Sequence, residues 1–161
     1  MDATELAKYL RPHLEAAGYE VNVDLLLQVA PLVQVRIKTL SDVVEMAGFF
    51  FADWETFVAP DPELIIHKKL TPETTVEVLE KSIEVLSNLD DLSHDVQYEA
   101  FKVAAQEMGV KNGPMFNPIR VAVTGQQVST PTFETIEVLG KDESIRRIKL
   151  AIDAVKQVVT S

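Results

Sequence analysis

Apolar residues recur along most of this chain at the three- and four-residue spacing of amphipathic helices. The clearest helix begins at Thr71-Pro72-Glu73, where a cap residue, a proline for the first helical position and an acid follow one another. Its predicted buried stripe is Val76, Leu79, Ile83 and Leu86. The same spacing predicts helices over residues 4–17, 24–38, 43–47, 93–108, 118–123, 133–139 and 142–158. The chain is therefore predicted to be all-α.

Three boundaries are less clear from the pattern. Val33, Val35 and Ile37 alternate with polar residues, as in a strand, but the flanking segments favour a helix that runs on to Lys38. Gly48 is predicted to end a short helix. The segment 111–117 is predicted to be a loop because of its glycine and the two prolines in and after it.

A cluster of aromatic residues near position 50 suggests how the helices are divided. Its members are Phe49, Phe50, Phe51, Trp54 and Phe57. A hydrophobic plug between helical layers explains them better than a base-stacking platform. Because Pro60-Asp61-Pro62 then breaks regular structure, we expect two packed helical subdomains, residues 1–60 and residues 61–161.

The net charge argues against binding to a polyanion. The formal charge of the 161 residues is -10, and contacts to phosphates normally supply much of the affinity for nucleic acid. The acidity is uneven, since residues 1–110 hold eight Lys/Arg and twenty Asp/Glu, whereas residues 111–161 hold seven and five. A basic face near the C-terminal end is therefore compatible with the sequence.

The sequence gives little reason to expect catalysis. The chain has no cysteine, which fits a cytoplasmic protein, and its three histidines are far apart and match no metal-binding spacing. No nucleotide-binding or nucleophile motif is present. No apolar run reaches the roughly 18 to 20 residues needed to span a bilayer. We therefore predict no catalytic residue and no metal site in this chain.

The stretch Pro118-Ile-Arg-Val-Ala-Val-Thr-Gly125 holds the best candidate for a binding residue. Arg120 lies in this small apolar helix, and a turn rich in Ser, Thr and Pro leads to Phe133-Glu134 and then to Leu139-Gly140-Lys141. A guanidinium has five donors and a flat face, which suit a nucleobase edge or a nucleobase plane. Ordinary capping and ion-pairing roles explain the same residue types. From these residues alone the function stays undecided.

These motifs resemble the C-terminal anticodon-binding region of bacterial glutamyl-tRNA synthetases. The pattern of that family is Pro-Leu-Arg-Val-Ala-Leu-Thr-Gly, then Ser-Pro-Pro-Leu-Phe-Glu, then Leu-Gly-Lys. The segment Arg36-Ile-Lys-Thr-Leu-Ser41, followed by Gly48-Phe-Phe-Phe51, resembles a second family segment, so the likeness covers nearly the whole chain. Thr130 and Thr132 depart from the pattern, because they replace a proline and an apolar residue.

The resemblance implies a helical anticodon-binding cage that belongs to a larger glutamate–tRNA ligase. The catalytic domain, which uses ATP and magnesium, is absent from this sequence. We therefore expect this chain to need no cofactor and to be inactive alone. Its expected partners are the anticodon loop of the tRNA for glutamate and the catalytic domain of the same parent chain. The expected state is a cytoplasmic monomer.

The resemblance also implies roles for particular residues. The arginine that matches Arg120 contacts the first anticodon base, and the one that matches Arg36 lies by the third base and helps separate glutamate from glutamine anticodons. The middle base is lined by the turn of Ser129, Thr130, Pro131 and Thr132. The expected contacts to RNA phosphates are Lys111, Arg146 and Arg147.

Two other classes of function remain open at this point. The first is an acidic all-α module for protein–protein interaction without RNA binding, in which the arginines are ordinary surface. The second is a small helical enzyme that uses scattered acids.

Overall fold

The computed structural model describes residues 2–51, 57–126 and 130–159, and every regular element in these ranges is a helix. The all-α prediction is therefore confirmed. The described residues group into two compact units, one of residues 2–51, 57 and 130–131 and the other of residues 58–126 and 132–159. The assignment of 1–60 and 61–161 as two domains stays a prediction, because a compact group of residues is not by itself an independently folding domain.

The first unit consists of three helices that pack on one another. They are α1 (Ala3–Ala16), α2 (Val23–Gln34) and α3 (Asp42–Phe51). The side chain of Asp2 accepts from the Glu5 amide at 2.8 Å, and Asn22 caps α2 in the same way. The core includes Leu10, Leu14, Val29, Val33 and Phe50, each at most 1% exposed. The three phenylalanines of α3 are buried, as a hydrophobic plug requires, and Trp54 lies outside the described residues.

Helix α2 ends earlier than predicted. It stops at Gln34, and the amides of Arg36 and Ile37 both donate to the Val33 carbonyl. The amides of Lys38 and Thr39 donate instead to the Asp42 carboxylate, at 2.9 and 3.0 Å. A carboxylate that binds these amides removes the hydrogen bonds that would continue the helix. The segment after Gln34 is therefore a turn, and Val35 is 81% exposed.

Helix α3 continues through Gly48, which was predicted to be its end. A Cβ atom at Gly48 would lie 2.7 Å from the Tyr19 hydroxyl. This glycine therefore allows a close approach of Tyr19 to the helix, and it does not mark a left-handed stop. The sequence does not reveal this role, because the contact joins residues that are far apart along the chain.

The second unit contains six described helices. They are α4 (Pro62–Ile65), α5 (Pro72–Asn88), α6 (His94–Met108), α7 (Asn112–Thr124), α8 (Thr132–Leu139) and α9 (Lys141–Val159). Helix α5 packs most extensively against α9, and α7 packs against α4, α5, α6, α8 and α9. Thr71 and Thr74 form a reciprocal capping box at the start of α5, so this predicted boundary is confirmed.

Helix α7 is longer than predicted, because residues 112–117 are helical. Gly113 and Pro114 occupy its first turn, where a backbone amide has no partner within the helix and a proline is tolerated. Pro118 removes one further amide donor inside the helix. Pro114, Met115, Pro118 and Ile119 are all buried. Burial of this apolar face outweighs the lost hydrogen bond.

A buried arginine joins the start of α9 to the end of α7. The Arg147 side chain is fully buried, and its Nη1 donates to the Val123 carbonyl at 2.8 Å. Its Nε donates to Glu143 at 2.7 Å, and Arg146 binds the same carboxylate at 2.8 and 3.0 Å. Val123 lies in the last turn of α7, where carbonyls lack partners within the helix. Arg147 therefore fixes the end of α7 against α9.

Burial and the two arginines act in opposite directions on Glu143. Burial raises the pKa of its carboxyl, but the hydrogen bonds and charges of Arg146 and Arg147 outweigh it, so the pKa lies below its ordinary value. Burial also lowers the pKa of Arg147, and Glu143 opposes that effect. The carboxylate thus compensates a buried cation that would otherwise destabilise the folded unit.

Replacing Glu143 by Gln is expected to lower the free energy of unfolding by about 3 to 5 kcal/mol, because it leaves the buried Arg147 cation uncompensated. Urea unfolding followed by circular dichroism measures this loss. The pKa of Glu143 is depressed in the folded state, so its contribution is present above the ordinary value of 4.5 and is lost as pH falls through the folded-state pKa. The difference between wild type and Glu143→Gln should therefore shrink in acid.

The exposed Arg11–Glu15 pair, with a 3.0 Å contact on α1, supplies the matched control. Glu15→Gln should change the free energy of unfolding by less than about 1 kcal/mol. Adding Arg147→Met to Glu143→Gln should restore part of the loss, because it removes the unpaired charge. Equal effects of Glu143→Gln and Glu15→Gln would contradict the structural role of the buried pair.

Candidate nucleic-acid interface

The side chain of Arg120 projects from α7 and is oriented by a hydrogen bond to Thr132. It is half-buried, and its Nε donates to the Thr132 hydroxyl at 3.0 Å. Within the part of the chain that the structure describes, its two terminal nitrogens have no hydrogen-bond partner. Thr132 is the first residue of α8, so the bond sets the guanidinium between α7 and α8. Four N–H donors remain for a planar acceptor.

The end of α7 is fixed by Thr124 and Gly125. The Thr124 hydroxyl lies 2.7 Å from the Arg120 carbonyl and accepts from the Gln126 amide at 3.0 Å. Gly125 has a φ of 78°, in the left-handed region, and its amide donates to the Val121 carbonyl at 2.7 Å. Thr124 and Gly125 therefore end α7 one turn after Arg120. The candidate turn, residues 129–132, follows in the sequence.

The candidate turn is only partly described. Ser129 lies outside the described residues. Thr130 is fully buried, Pro131 is half-buried, and Thr132 is 6% exposed with its hydroxyl bound to Arg120. The side chains of Thr130 and Thr132 are thus packed within the protein. Thr132 acts on the site through the arginine that it orients.

Arg36 lies on the short loop between α2 and α3 and is exposed. Its Nη1 donates to the Leu32 carbonyl at 3.2 Å. Asp42 organises this loop, because it accepts the amides of Lys38 and Thr39 and also the Thr39 hydroxyl at 3.0 Å. These bonds, led by the Thr39 amide, hold the pKa of the Asp42 carboxyl below its ordinary value.

Sequence reasoning missed the role of Asp42. The available signal was the Thr-Leu-Ser-Asp order, since an acid three residues after a threonine is a common partner for loop amides before a helix. It also missed Glu143, which is the partner of both C-terminal arginines. Each carboxylate holds a neighbouring basic segment, Asp42 through the Lys38 and Thr39 amides and Glu143 through Arg146 and Arg147.

The predicted phosphate contacts differ in their availability. Lys111, the N-cap residue of α7, is exposed. The side chain of Arg146 is 38% exposed, but it shares the Glu143 carboxylate. Arg147 is fully buried between Glu143 and the Val123 carbonyl. A buried guanidinium cannot contact a phosphate without rearrangement of the protein. Arg147 is therefore excluded from the proposed RNA contacts.

The two grooves described in the second unit are lined by α5 and α6 and do not include Arg120. One groove of about 430 Å³ runs between α5 and α6, and its charged lining is Lys81, Glu84, Glu99 and Glu107. Lys81 binds Glu107 at 3.0 Å and Glu84 at 3.5 Å, and the hydrogen bond to Glu107 raises the pKa of Lys81. With its cation already paired and acids in excess, this groove repels phosphate.

In the described ranges, no group of three or more His, Asp or Glu side chains is arranged to hold a metal ion, and no helix is long and apolar enough to cross a membrane. The helical fold and the arginines oriented on it are typical of an all-helical binding module whose candidate contacts are guanidinium groups.

Comparison with known proteins identifies the family. The family model described as "Anticodon binding domain" matches residues 5–152. The chain therefore belongs to the anticodon binding domain family, and the resemblance found in the sequence motifs is confirmed. This membership supports the RNA-binding hypothesis over an acidic protein-interaction module.

Curated relatives are longer than this chain. A glutamate–tRNA ligase of Dehalococcoides mccartyi is 38% identical over 160 residues, which cover 94% of this chain and 32% of the relative. A glutamate–tRNA ligase of Treponema denticola is 39% identical over 144 residues, which cover 89% and 27%. The chain thus spans about a third of the length of these relatives.

Solved structures show the same fold. A crystal structure of a glutamate tRNA ligase from Elizabethkingia meningosepticum, in complex with its amino acid, superposes with a TM-score of 0.79 over 96% of this chain and 30% of that chain. A glutamate–tRNA synthetase from Elizabethkingia anophelis gives a TM-score of 0.72. The sequence identities are 23% and 21%, so these matches establish the shared fold.

Asp42→Asn is expected to loosen the loop that carries Arg36, because a neutral amide loses one acceptor oxygen and the negative charge. Hydrogen exchange should show reduced protection of the Lys38 and Thr39 amides. In the wild type, the same protection should fall as pH drops through the lowered pKa of Asp42, below its ordinary value of 3.8.

Asp24→Asn, on the exposed surface of α2, is the control and should leave both amides protected. Unchanged protection of the Lys38 and Thr39 amides in Asp42→Asn would show that the carboxylate does not organise the loop.

Proposed function

We propose that this chain binds the anticodon loop of the tRNA for glutamate, as the anticodon-binding part of a glutamate–tRNA ligase. The observation that carries the proposal is Arg120, which is half-buried and oriented by Thr132 and whose terminal nitrogens have no partner among the described residues, in a chain of the anticodon binding domain family. A guanidinium set in this way is suited to donate to the edge of one unpaired base or to stack on its face.

In the proposed mechanism, the loop bases are unstacked and separately bound. Arg120 contacts the first anticodon base and Arg36 the third, as the family resemblance implies. The middle base lies by the turn of Ser129, Thr130, Pro131 and Thr132. Because Thr130 is buried, its polar contact to a base would come from the backbone, which any residue type supplies. Lys111 and Arg146 meet phosphates.

The charge of the chain shapes the expected affinity. With a formal net charge of -10, the chain gains little from general attraction to phosphates, so we expect weak binding by the chain alone. Attachment of glutamate, with ATP and magnesium, belongs in this proposal to a catalytic domain of the same parent protein. This chain then needs no cofactor, is inactive alone, and works in the cytoplasm as part of a monomer.

Arg120→Ala, in a ligase whose own anticodon-binding region is replaced by this chain, is expected to lower kcat/KM for the tRNA of glutamate by about 5- to 150-fold, which corresponds to about 1 to 3 kcal/mol for one good base contact. For tRNA variants with a changed first anticodon base, Arg120→Ala should lower kcat/KM by a smaller factor. The contact between Arg120 and that base is already absent in these tRNAs. Glutamylation at low tRNA concentration measures both effects.

Thr132→Val tests the orientation of Arg120, since it removes the hydroxyl and keeps the shape. Thr132→Val should lower kcat/KM for the tRNA by a smaller factor than Arg120→Ala does. Combined with Arg120→Ala, it should cause no further loss. If Arg120→Ala leaves kcat/KM unchanged for the tRNA and for its anticodon variants, the proposed role of Arg120 is wrong.

Arg36→Gln is expected to improve the use of glutamine-type anticodons relative to glutamate-type anticodons, because it removes the guanidinium beside the third base. The ratio of kcat/KM for the two tRNAs measures the change. Arg11→Gln, an exposed arginine on α1, is the matched control and should leave the ratio as it is. An unaltered ratio in Arg36→Gln would exclude Arg36 from discrimination.

A further inference from the structure

A group of aromatic side chains lies where α6 meets α7 and α8. We call it the aromatic ledge, and it consists of His94, Tyr98, Phe116 and Phe133. The rings of His94 and Tyr98 are 6.3 Å apart and nearly parallel, at 5°. The Phe133 ring meets His94 and Tyr98 edge-on, at 5.3 and 6.2 Å and 82° for both. Phe133 is buried, whereas the His94 side chain is 52% exposed and Tyr98 is half-buried.

The imidazole of His94 is held from the neighbouring helix. Its Nδ1 lies 2.5 Å from Oε1 of Glu134, in the first turn of α8. A carboxylate accepts hydrogen bonds, so Nδ1 carries the proton in this contact. In the described residues, neither Nε2 of His94 nor the Tyr98 hydroxyl has a hydrogen-bond partner. Both groups therefore remain available at the exposed edge of the ledge.

A buried glutamine joins two of the helices that carry the ledge, α6 and α8. Gln97 is fully buried, and its Nε2 donates to the Leu92 carbonyl at 2.5 Å and to the Phe133 carbonyl at 2.9 Å. The start of α8 is thus attached to α6 through its backbone as well as through Glu134. The ring planes are set before any ligand arrives, which reduces the ordering entropy of binding.

The exposed end of the ledge, His94, is held on another side of α8 from the hydrogen bond that orients Arg120, although Phe116 precedes Arg120 by one turn on the same side of α7. Thr132, which orients Arg120, precedes Phe133 and Glu134 directly. Successive helical residues turn by about 100°, so the side chains of Thr132 and Glu134 point to nearly opposite sides of the start of α8. A base stacked on His94 would therefore differ from the base on Arg120.

We propose that the aromatic ledge stacks a second unpaired base of the same RNA loop on the exposed face of His94. This inference rests on the proposed anticodon-loop function. A base face is uncharged, so it is tolerated beside Glu134 and the exposed Asp95, where a phosphate would be repelled. The ledge thus supplies affinity that the acidic chain cannot obtain from phosphates.

The test uses the whole chain and an RNA hairpin with the anticodon loop of the tRNA for glutamate, carrying the fluorescent base 2-aminopurine at one loop position at a time. Stacking on an aromatic ring quenches this fluorophore. We expect quenching at one position that His94→Ala abolishes and Arg120→Ala preserves. His94→Ala should weaken binding by about 5- to 100-fold.

Two variants separate stacking from a merely structural role. His94→Phe keeps a flat ring and loses the bond to Glu134, so it should retain the quenching and most of the affinity. His67→Ala, at a histidine whose Nδ1 accepts from the Lys69 amide in a separate loop, should bind like wild type. Circular dichroism confirms that each variant is folded.

The outcomes distinguish the two proposals. If Arg120→Ala weakens binding but His94→Ala changes neither affinity nor quenching, the ledge proposal is wrong and the proposed function stands. If His94→Phe loses as much affinity and quenching as His94→Ala while both variants remain folded, stacking is excluded. If the wild-type chain does not bind the hairpin at any protein concentration tested, both proposals fail.

Discussion

The buried guanidinium of Arg147 is the constraint on which the candidate site depends. It takes up a carbonyl at the end of α7 and the Glu143 carboxylate at the start of α9. Removal of either partner leaves a charge or a carbonyl without compensation inside the protein. With the end of α7 fixed in this way, the Thr124-Gly125 turn starts from a defined point, and Arg120, one turn earlier, has a defined direction.

Several cations of this acidic chain are bound by the protein itself, which leaves few for the proposed RNA partner. Arg147, Arg146, Lys141 and Lys81 bind carboxylates or carbonyls of the protein. Arg36, Arg120, Lys111 and the partly exposed Arg146 remain as candidate contacts. Such a surface favours reading of bases over general attraction to phosphates. The aromatic ledge, in our inference, extends the same strategy, because stacking does not require a positive surface.

In each unit, a short polar side chain orients one of the candidate arginines. Asp42 holds the loop of Arg36 through backbone amides, and Thr132 holds Arg120 directly. The arginines themselves keep donors free. This division of labour means that substitutions at Asp42 or Thr132 act on binding through geometry, while substitutions at the arginines remove the contact itself.

Local pattern by itself determined the helical class and most helix starts, since capping residues and apolar spacing act within a few residues, as at Thr71 to Glu73. The motifs around Arg120 also determined the family. Tertiary structure decided the rest. Helix α2 ends where it does because Asp42 binds the amides that follow it. Helix α3 continues through Gly48 because Tyr19 packs closely there, and α7 is extended because its prolines are buried. It also decided which cations are usable, because the identical residue type is buried at Arg147 and exposed at Arg36, and only packing between distant segments sets that difference.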